Sequence, residues 1–278
     1  MRRLLARRVL NGGPVEPVLW DWLGADGASI RLAGHSHRLA FRDSIPLLPD
    51  ELRRRVAVLD LKGRTLPAPG AFRPAPDKSY WRQAAAAGTV TAVVWDGNQH
   101  NARFLLTDVP FTVVGRLAPA DDVEECVVPY RMMRALFERD LEASGLTKFL
   151  SGHPDPASVL VVGTPPPKSE QQVRQGLAND GPLGQEFFVE ALAELGLTPE
   201  SAPLTGVATR VACWEALQEA MKATAASAGA SFVPVPEEMR DEDGTLRREY
   251  CEPDTTHANT AYGVAMWQAI DEHADGKR

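Results

Sequence analysis

The sequence predicts an α/β protein: a doubly wound, mostly parallel sheet covered by helices on both faces. Three observations predict it. Short apolar or β-branched runs recur along the chain, turn-forming residues follow each run, and helix-periodic sequence precedes the next. The runs are residues 28–33, 55–61, 89–95 and 158–162, with a fifth candidate at 231–235. Strands that alternate with helices are joined by right-handed crossovers, which carry the helices onto both faces. Pro234 lies inside the fifth run. Proline has no N–H to give to a ladder, so that strand belongs at an edge.

The helices follow from spacing. Val207, Val211, Trp214, Leu217, Met221 and Ala225 repeat at intervals of three and four, as one buried stripe requires. A last helix from about His257 to His273 puts Tyr262, Met266 and Ile270 on one face. Residues 1–27 read as an N-terminal extension packed on a single domain spanning 28–278. The stretch 165–230 is longer than one crossover helix needs and is expected to hold a helical insertion. Residues 67–76, PAPGAFRPAP, form a stiff, extended loop by composition.

Composition narrows the function classes. The chain has 278 residues, 44% hydrophobic and 24% charged, and no apolar run approaches the ~20 residues that span a bilayer. Lys and Arg total 30 against 37 Asp and Glu, a net charge of −7 that would repel a phosphate backbone, so no nucleic-acid partner is expected. The opening MRRLLARRVL has neither a continuous apolar core nor a small-residue cleavage site, and the expectation is a cytoplasmic protein with no membrane span. Cys126, Cys213 and Cys251 are far apart and lack C-x-x-C spacing, which argues against disulfides and structural zinc and for small buried residues.

In doubly wound sheets ligands bind beyond the carboxyl ends of the strands, so chemistry is sought just after each run. There the sequence reads Gly34-His35-Ser36-His37, Lys62-Gly63-Arg64-Thr65, Asp96-Gly97-Asn98-Gln99-His100 and Gly163-Thr164, with Asp254-Thr255-Thr256-His257 opening the last helix. A serine hydroxyl is a weak nucleophile at neutral pH and needs a base, which in turn needs a group to fix its tautomer. Ser36, His257 and Asp254 can supply those three roles. An attacked carbonyl develops negative charge on oxygen, and the backbone N–H groups of Ser36 and Gly63 with the Asn98 side-chain amide are the candidate donors for an oxyanion hole. Gly70, seven residues after Gly63 in the same connection, competes for that place.

This ordered set resembles the SGNH (GDSL-type) hydrolases. Ser36 looks like the block-one nucleophile, Gly63 the block-two glycine, Asn98 the block-three asparagine, and Asp254 with His257 the D-x-x-H of the final block. The resemblance implies a three-layer αβα sandwich with a flavodoxin-like sheet of about five strands. It also implies an esterase, deacetylase or acyltransferase that forms an acyl-enzyme on Ser36, takes a small-molecule or glycan ester, and needs no cofactor. The sequence departs from the family pattern where G-D-S becomes Gly34-His35-Ser36 and where G-x-N-D becomes Asp96-Gly97-Asn98-Gln99. Two alternatives stay open: a non-catalytic binding protein that keeps the fold, and a metal-dependent hydrolase using the rim histidines His35, His37 and His100, since neutral imidazole binds metals readily. The order of motifs argues against the metallophosphoesterases, and the three histidines are otherwise expected to contact substrate.

Overall fold

The structure is a computed structural model that describes residues 20–61, 78–86, 88–95, 99–107, 109–115, 126–179, 192–194 and 196–276. Gly63, Gly70, Asn98 and the 67–76 loop lie outside the described residues.

Among the described residues there are eight strands: β1 (Trp20–Gly24), β2 (Ile30–Gly34), β3 (Val56–Leu61), β4 (Val90–Val94), β5 (Phe111–Val114), β6 (Cys126–Pro129), β7 (Val159–Val162) and β8 (Ser231–Val233). The described helices are α1 (Arg38–Ser44), α2 (Asp50–Arg53), α3 (Lys78–Ala85), α4 (Gln99–Phe104), α5 (Tyr130–Ser144), α6 (Leu146–Ser151), α7 (Glu170–Ala178), α8 (Val207–Ser227) and α9 (Thr260–Asp275). The main sheet has the order β1-β3-β2-β4-β7-β8, and a separate parallel pair joins β5 to β6. Within the main sheet β3, β2, β4, β7 and β8 run parallel, while β1 pairs antiparallel with β3.

Six strands rather than about five therefore make the main sheet. The added strand, β1, is the sequence Trp-Asp-Trp-Leu-Gly. Its Trp20 is buried edge-on against Tyr80, ring centroids 4.6 Å apart, in a small cluster with Ala33, Leu59 and Ala84. The β8 strand does lie at an edge, as expected, and it ends at Val233, just before Pro234.

Strand period two sends alternate side chains to opposite faces, and both sets are apolar because both faces are covered. Leu160 and Val162 join Ile30, Leu32, Val56 and Val58 beneath α1 and α9, where Phe41, Tyr262, Met266, Trp267 and Ile270 complete one core. Val159 and Val161 point the other way with Val93, against Met133, Phe137 and Leu141 of α5 and Leu217 and Met221 of α8. Each such side chain fully withdrawn from water contributes ~1.5–3 kcal/mol. The Trp267 indole also donates to the Phe41 carbonyl at 3.0 Å, tying α9 to α1.

The α8 helix is buried on a broader face than its stripe of apolar residues: Thr209, Arg210, Cys213 and Ala216 are buried as well. The α9 helix starts three residues later than expected. Its cap is Asn259, whose side-chain oxygen accepts from the N–H groups of Ala261 (2.9 Å) and Tyr262 (3.2 Å), which frees Asp254 and His257 from any capping duty. Of the cysteines, Cys213 is buried, Cys251 is partly buried and Cys126 is exposed. Among the described residues no helix is long and apolar enough to cross a membrane.

Candidate active site

The site begins where β2 ends. A Cβ on Gly34 would stand 2.5 Å from the Val94 carbonyl oxygen, so only glycine lets the chain pass this close to β4. The approach is held on both sides. The His35 N–H donates to Val94 O at 3.1 Å, and the Gly34 N–H donates to the buried Tyr80 hydroxyl at 2.7 Å. Burial pushes the Tyr80 phenol up to about 12, so it stays a hydroxyl and donates in turn toward the carbonyls of Gly34 (3.0 Å) and Leu59 (3.2 Å).

Residues 35–37 then turn into α1, closed by the Arg38 N–H on His35 O (3.0 Å) and the Leu39 N–H on Ser36 O (3.1 Å). The buried Arg38 guanidinium donates to His35 O (3.1 Å) and to Asp60 Oδ1 (2.9 Å), and Arg42 donates to Asp60 Oδ2 (2.8 Å). The turn is thereby stapled to the end of β3. Ser36 is exposed, while its neighbours lie deeper. His35 packs on the rings of Trp81 (5.2 Å) and Trp95 (5.4 Å), and His37 is buried with its ring centroid 5.1 Å from that of His257.

His257 is paired as a catalytic base requires. Its Nδ1 lies 2.6 Å from Asp254 Oδ2. The other carboxylate oxygen, Oδ1, accepts from the backbone N–H groups of Thr256 (2.8 Å) and His257 (2.7 Å) and from Lys168 Nζ (3.0 Å). Burial alone would raise the Asp254 carboxyl. The hydrogen bond and charge of His257 and the charge of Lys168 outweigh it and hold the group well below the usual carboxylate range. An ionised carboxylate only accepts, so the Nδ1 of His257 carries the proton and its Nε2 is left to accept one.

Lys168 is a member of the site that sequence reasoning missed. Its side chain is 1% exposed, and its ammonium also donates to the carbonyls of Glu252 and Asp254, both at 2.7 Å. Three protons meet three acceptors around one loop. Arg210 of α8 supports it from behind, with Nη1 donating to the Lys168 carbonyl at 2.7 Å. The available signal was position: Lys168 follows the Gly163-Thr164-Pro165-Pro166-Pro167 run at the end of β7, where ligand-side residues belong.

Of the residues expected in the site, the structure brings Asp254 and His257 into contact and sets the turn bearing Ser36 against them through His37. Gly63 and Asn98 lie outside the described residues. His37 and His100 are buried, and both imidazoles are held neutral: His37 chiefly by burial and then by His257, and His100, driven down to about 3, by burial and then by Arg210. The rim histidines do not assemble as ligands, since among the described residues no three His, Cys, Asp or Glu side chains converge as a metal ion would need.

No protein-family model matches the sequence, and no curated protein matches it. Among solved structures, a candidate acylhydrolase from Bacteroides fragilis is 12% identical with a TM-score of 0.45, over 92% of this chain and 91% of the other. A protein described as a candidate platelet activating factor from Streptococcus pneumonia is 12% identical with a TM-score of 0.40, over 89% and 84%. Likeness at that level carries no weight on fold or activity.

Proposed function

We propose that the protein is a serine hydrolase of the SGNH type, acting on an ester or acetyl group through an acyl-enzyme on Ser36. One observation carries the reading: a buried Asp254 bonded to His257 Nδ1 at 2.6 Å, beside the exposed Ser36 turn that follows the carboxyl end of β2. In the reaction the Nε2 of His257 takes the Ser36 proton as Oγ attacks the acyl carbonyl, and Asp254 stabilises the resulting imidazolium. His257 then returns the proton to the departing alkoxide. Water, or an acceptor hydroxyl, repeats the sequence on the acyl-enzyme. The Ser36 N–H, the Gly63 N–H and the Asn98 amide are assigned to the oxyanion. His35, in the place of the family's acid, serves as packing between Trp81 and Trp95.

The test is labelling with a fluorophosphonate followed by peptide mapping, alongside hydrolysis of a short-chain aryl ester. The expected result is an adduct on Ser36 and a fall in kcat/KM of roughly two to six decades in S36A. A folded protein with no adduct on Ser36, and with wild type and S36A at the same background rate, would overturn the assignment in favour of a binding protein.

A further inference from the structure

Lys168 and Asp254 neutralise one another, but the second buried cation beside them has no counterion among the described residues. Arg210, 2% exposed, commits Nε to the Thr205 carbonyl (2.9 Å) and Nη1 to the Lys168 carbonyl (2.7 Å), while its Nη2 has no hydrogen-bond partner among the described residues. The carboxylates whose charge it feels, Glu170 and Asp243, are engaged elsewhere: Glu170 with Arg174 at 2.7 Å and Asp243 with the Thr245 hydroxyl at 2.6 Å. An unpaired buried guanidinium is costly to fold around.

Arg210 is not alone in this. The Thr205 hydroxyl oxygen in the preceding turn is also buried without a partner among the described residues. The Thr205 N–H donates to the Leu105 carbonyl at 3.0 Å, which fixes that turn against the end of α4, and α4 and α8 pack on one another. From α4 comes His100, 3% exposed, with neither ring nitrogen bonded to any described residue. His37, whose ring packs on that of His257, has an unbonded Nε2. Native chains satisfy nearly all buried polar groups, and a concentration of unmet ones beside a reactive pair is what a ligand's polar group completes. The group it suits is defined by its parts: one cationic N–H arm, a hydroxyl, and two neutral imidazoles that can donate or accept. That is the complement of an oxyanion bearing more than one acceptor atom.

We propose that Arg210, with Thr205, His100 and His37, forms an anion-recognition site that selects ester substrates carrying a carboxylate or a phosphate. The proposal rests on the hydrolase reading, since it places the charged part of the substrate beside His257.

Two experiments on the full chain test it. In the first, kcat/KM is measured for 4-nitrophenyl butyrate, 4-nitrophenyl hemisuccinate and a 4-nitrophenyl acyl ester ending in a phosphate. Wild type is expected to prefer one anionic ester over the neutral one by about tenfold or more, R210M to lose that preference, and R210K to keep most of it. The ratio cancels any general loss of activity. Equal use of charged and neutral esters by wild type, or an intact preference in R210M, overturns the site. In the second, succinate and inorganic phosphate are titrated calorimetrically into S36A and into S36A/R210M. Binding weakened about tenfold or more by R210M supports the site, and the anion that binds identifies the source; binding of neither anion overturns it. Arg210-dependent binding in a protein whose Ser36 takes no label would sink the hydrolase reading and leave this site standing. Ester turnover without charge preference would do the reverse.

Discussion

Replacing Lys168 by methionine removes an ammonium from the centre of the site while keeping most of its volume, and the structure sets the size of the effect. Three hydrogen bonds disappear, to Glu252 O, Asp254 O and Asp254 Oδ1, at a residue 1% exposed facing a carboxylate 5% exposed. Breaking a buried ion pair from one side costs about 3–5 kcal/mol. Asp254 retains the N–H groups of Thr256 and His257 on Oδ1 and Nδ1 of His257 on Oδ2, so the low end, about 3 kcal/mol, is expected. A double-mutant cycle with D254N isolates the pair: urea unfolding of wild type, K168M, D254N and the double variant at pH 7.5 should give a coupling of about 2 kcal/mol. The pH dependence adds a second readout. A carboxyl depressed in the folded state contributes stability that is present above its unfolded value of about 3.9 and lost as pH falls through its folded value. Without Lys168 the folded value rises, so acid unfolding should move to higher pH. A loss under about 1 kcal/mol with no coupling and an unmoved acid transition would refute the view that Lys168 holds the Asp254 loop.

Two further outcomes follow from the same surroundings. The folded value of His100, about 3, lies below the unfolded ~6.5, so the unfolded chain takes the proton first and stability falls as pH drops below about 6.5; by linkage the loss between pH 7.5 and 4.5 is about 2–3 kcal/mol from this residue. H100L should shrink the difference between urea unfolding free energies at the two pH values by that amount, and an unchanged difference would contradict the burial. In G176A the new Cβ would stand 2.4 Å from the Asp254 carbonyl carbon and 2.6 Å from the Thr255 nitrogen, so α7 and the Asp254 loop must separate. Thermal unfolding should report about 1–3 kcal/mol lost, and aryl-ester kcat should fall with it; full activity in the variant would show that the loop position is not critical.

What was legible in the sequence is what local chemistry decides. Five runs mark five parallel strands because most of their residues are apolar and buried, although Arg31, Asp60, Thr91 and Ser231 interrupt them. Asp254-x-x-His257 marks a reach of one loop, set by neighbours in the chain. What stayed hidden depends on distant contacts. The β1 strand exists because Trp20 finds Tyr80, 60 positions on, and nothing in Trp-Asp-Trp-Leu-Gly announces that partner. Lys168 meets acceptors 84 and 86 residues away. His100 reads as a rim residue, yet α4 packs against α8 and takes it inside. The last helix starts at Thr260 rather than near His257 because Asn259 supplies both capping bonds.

The division of labour among the buried charges explains why those distant contacts matter to chemistry. A histidine base is effective only if its ring is already oriented when the hydroxyl arrives, because fixing it during the reaction would add to the barrier. Here the orientation is fixed during folding. Asp254 grips Nδ1 with one oxygen and is itself gripped through the other by two N–H groups and an ammonium, and that ammonium's own backbone is held by Arg210. The links through Lys168 and Arg210 are buried and those to His257 are partly so, which limits competition from water, and loosening one link loosens the next. The arrangement also keeps the charge count asymmetric: Lys168 is spent on Asp254, whereas Nη2 of Arg210 has no partner among the described residues. On the proposed hydrolase reading, substitutions at Lys168 act on all substrates alike, through the base, while those at Arg210 separate charged from neutral ones.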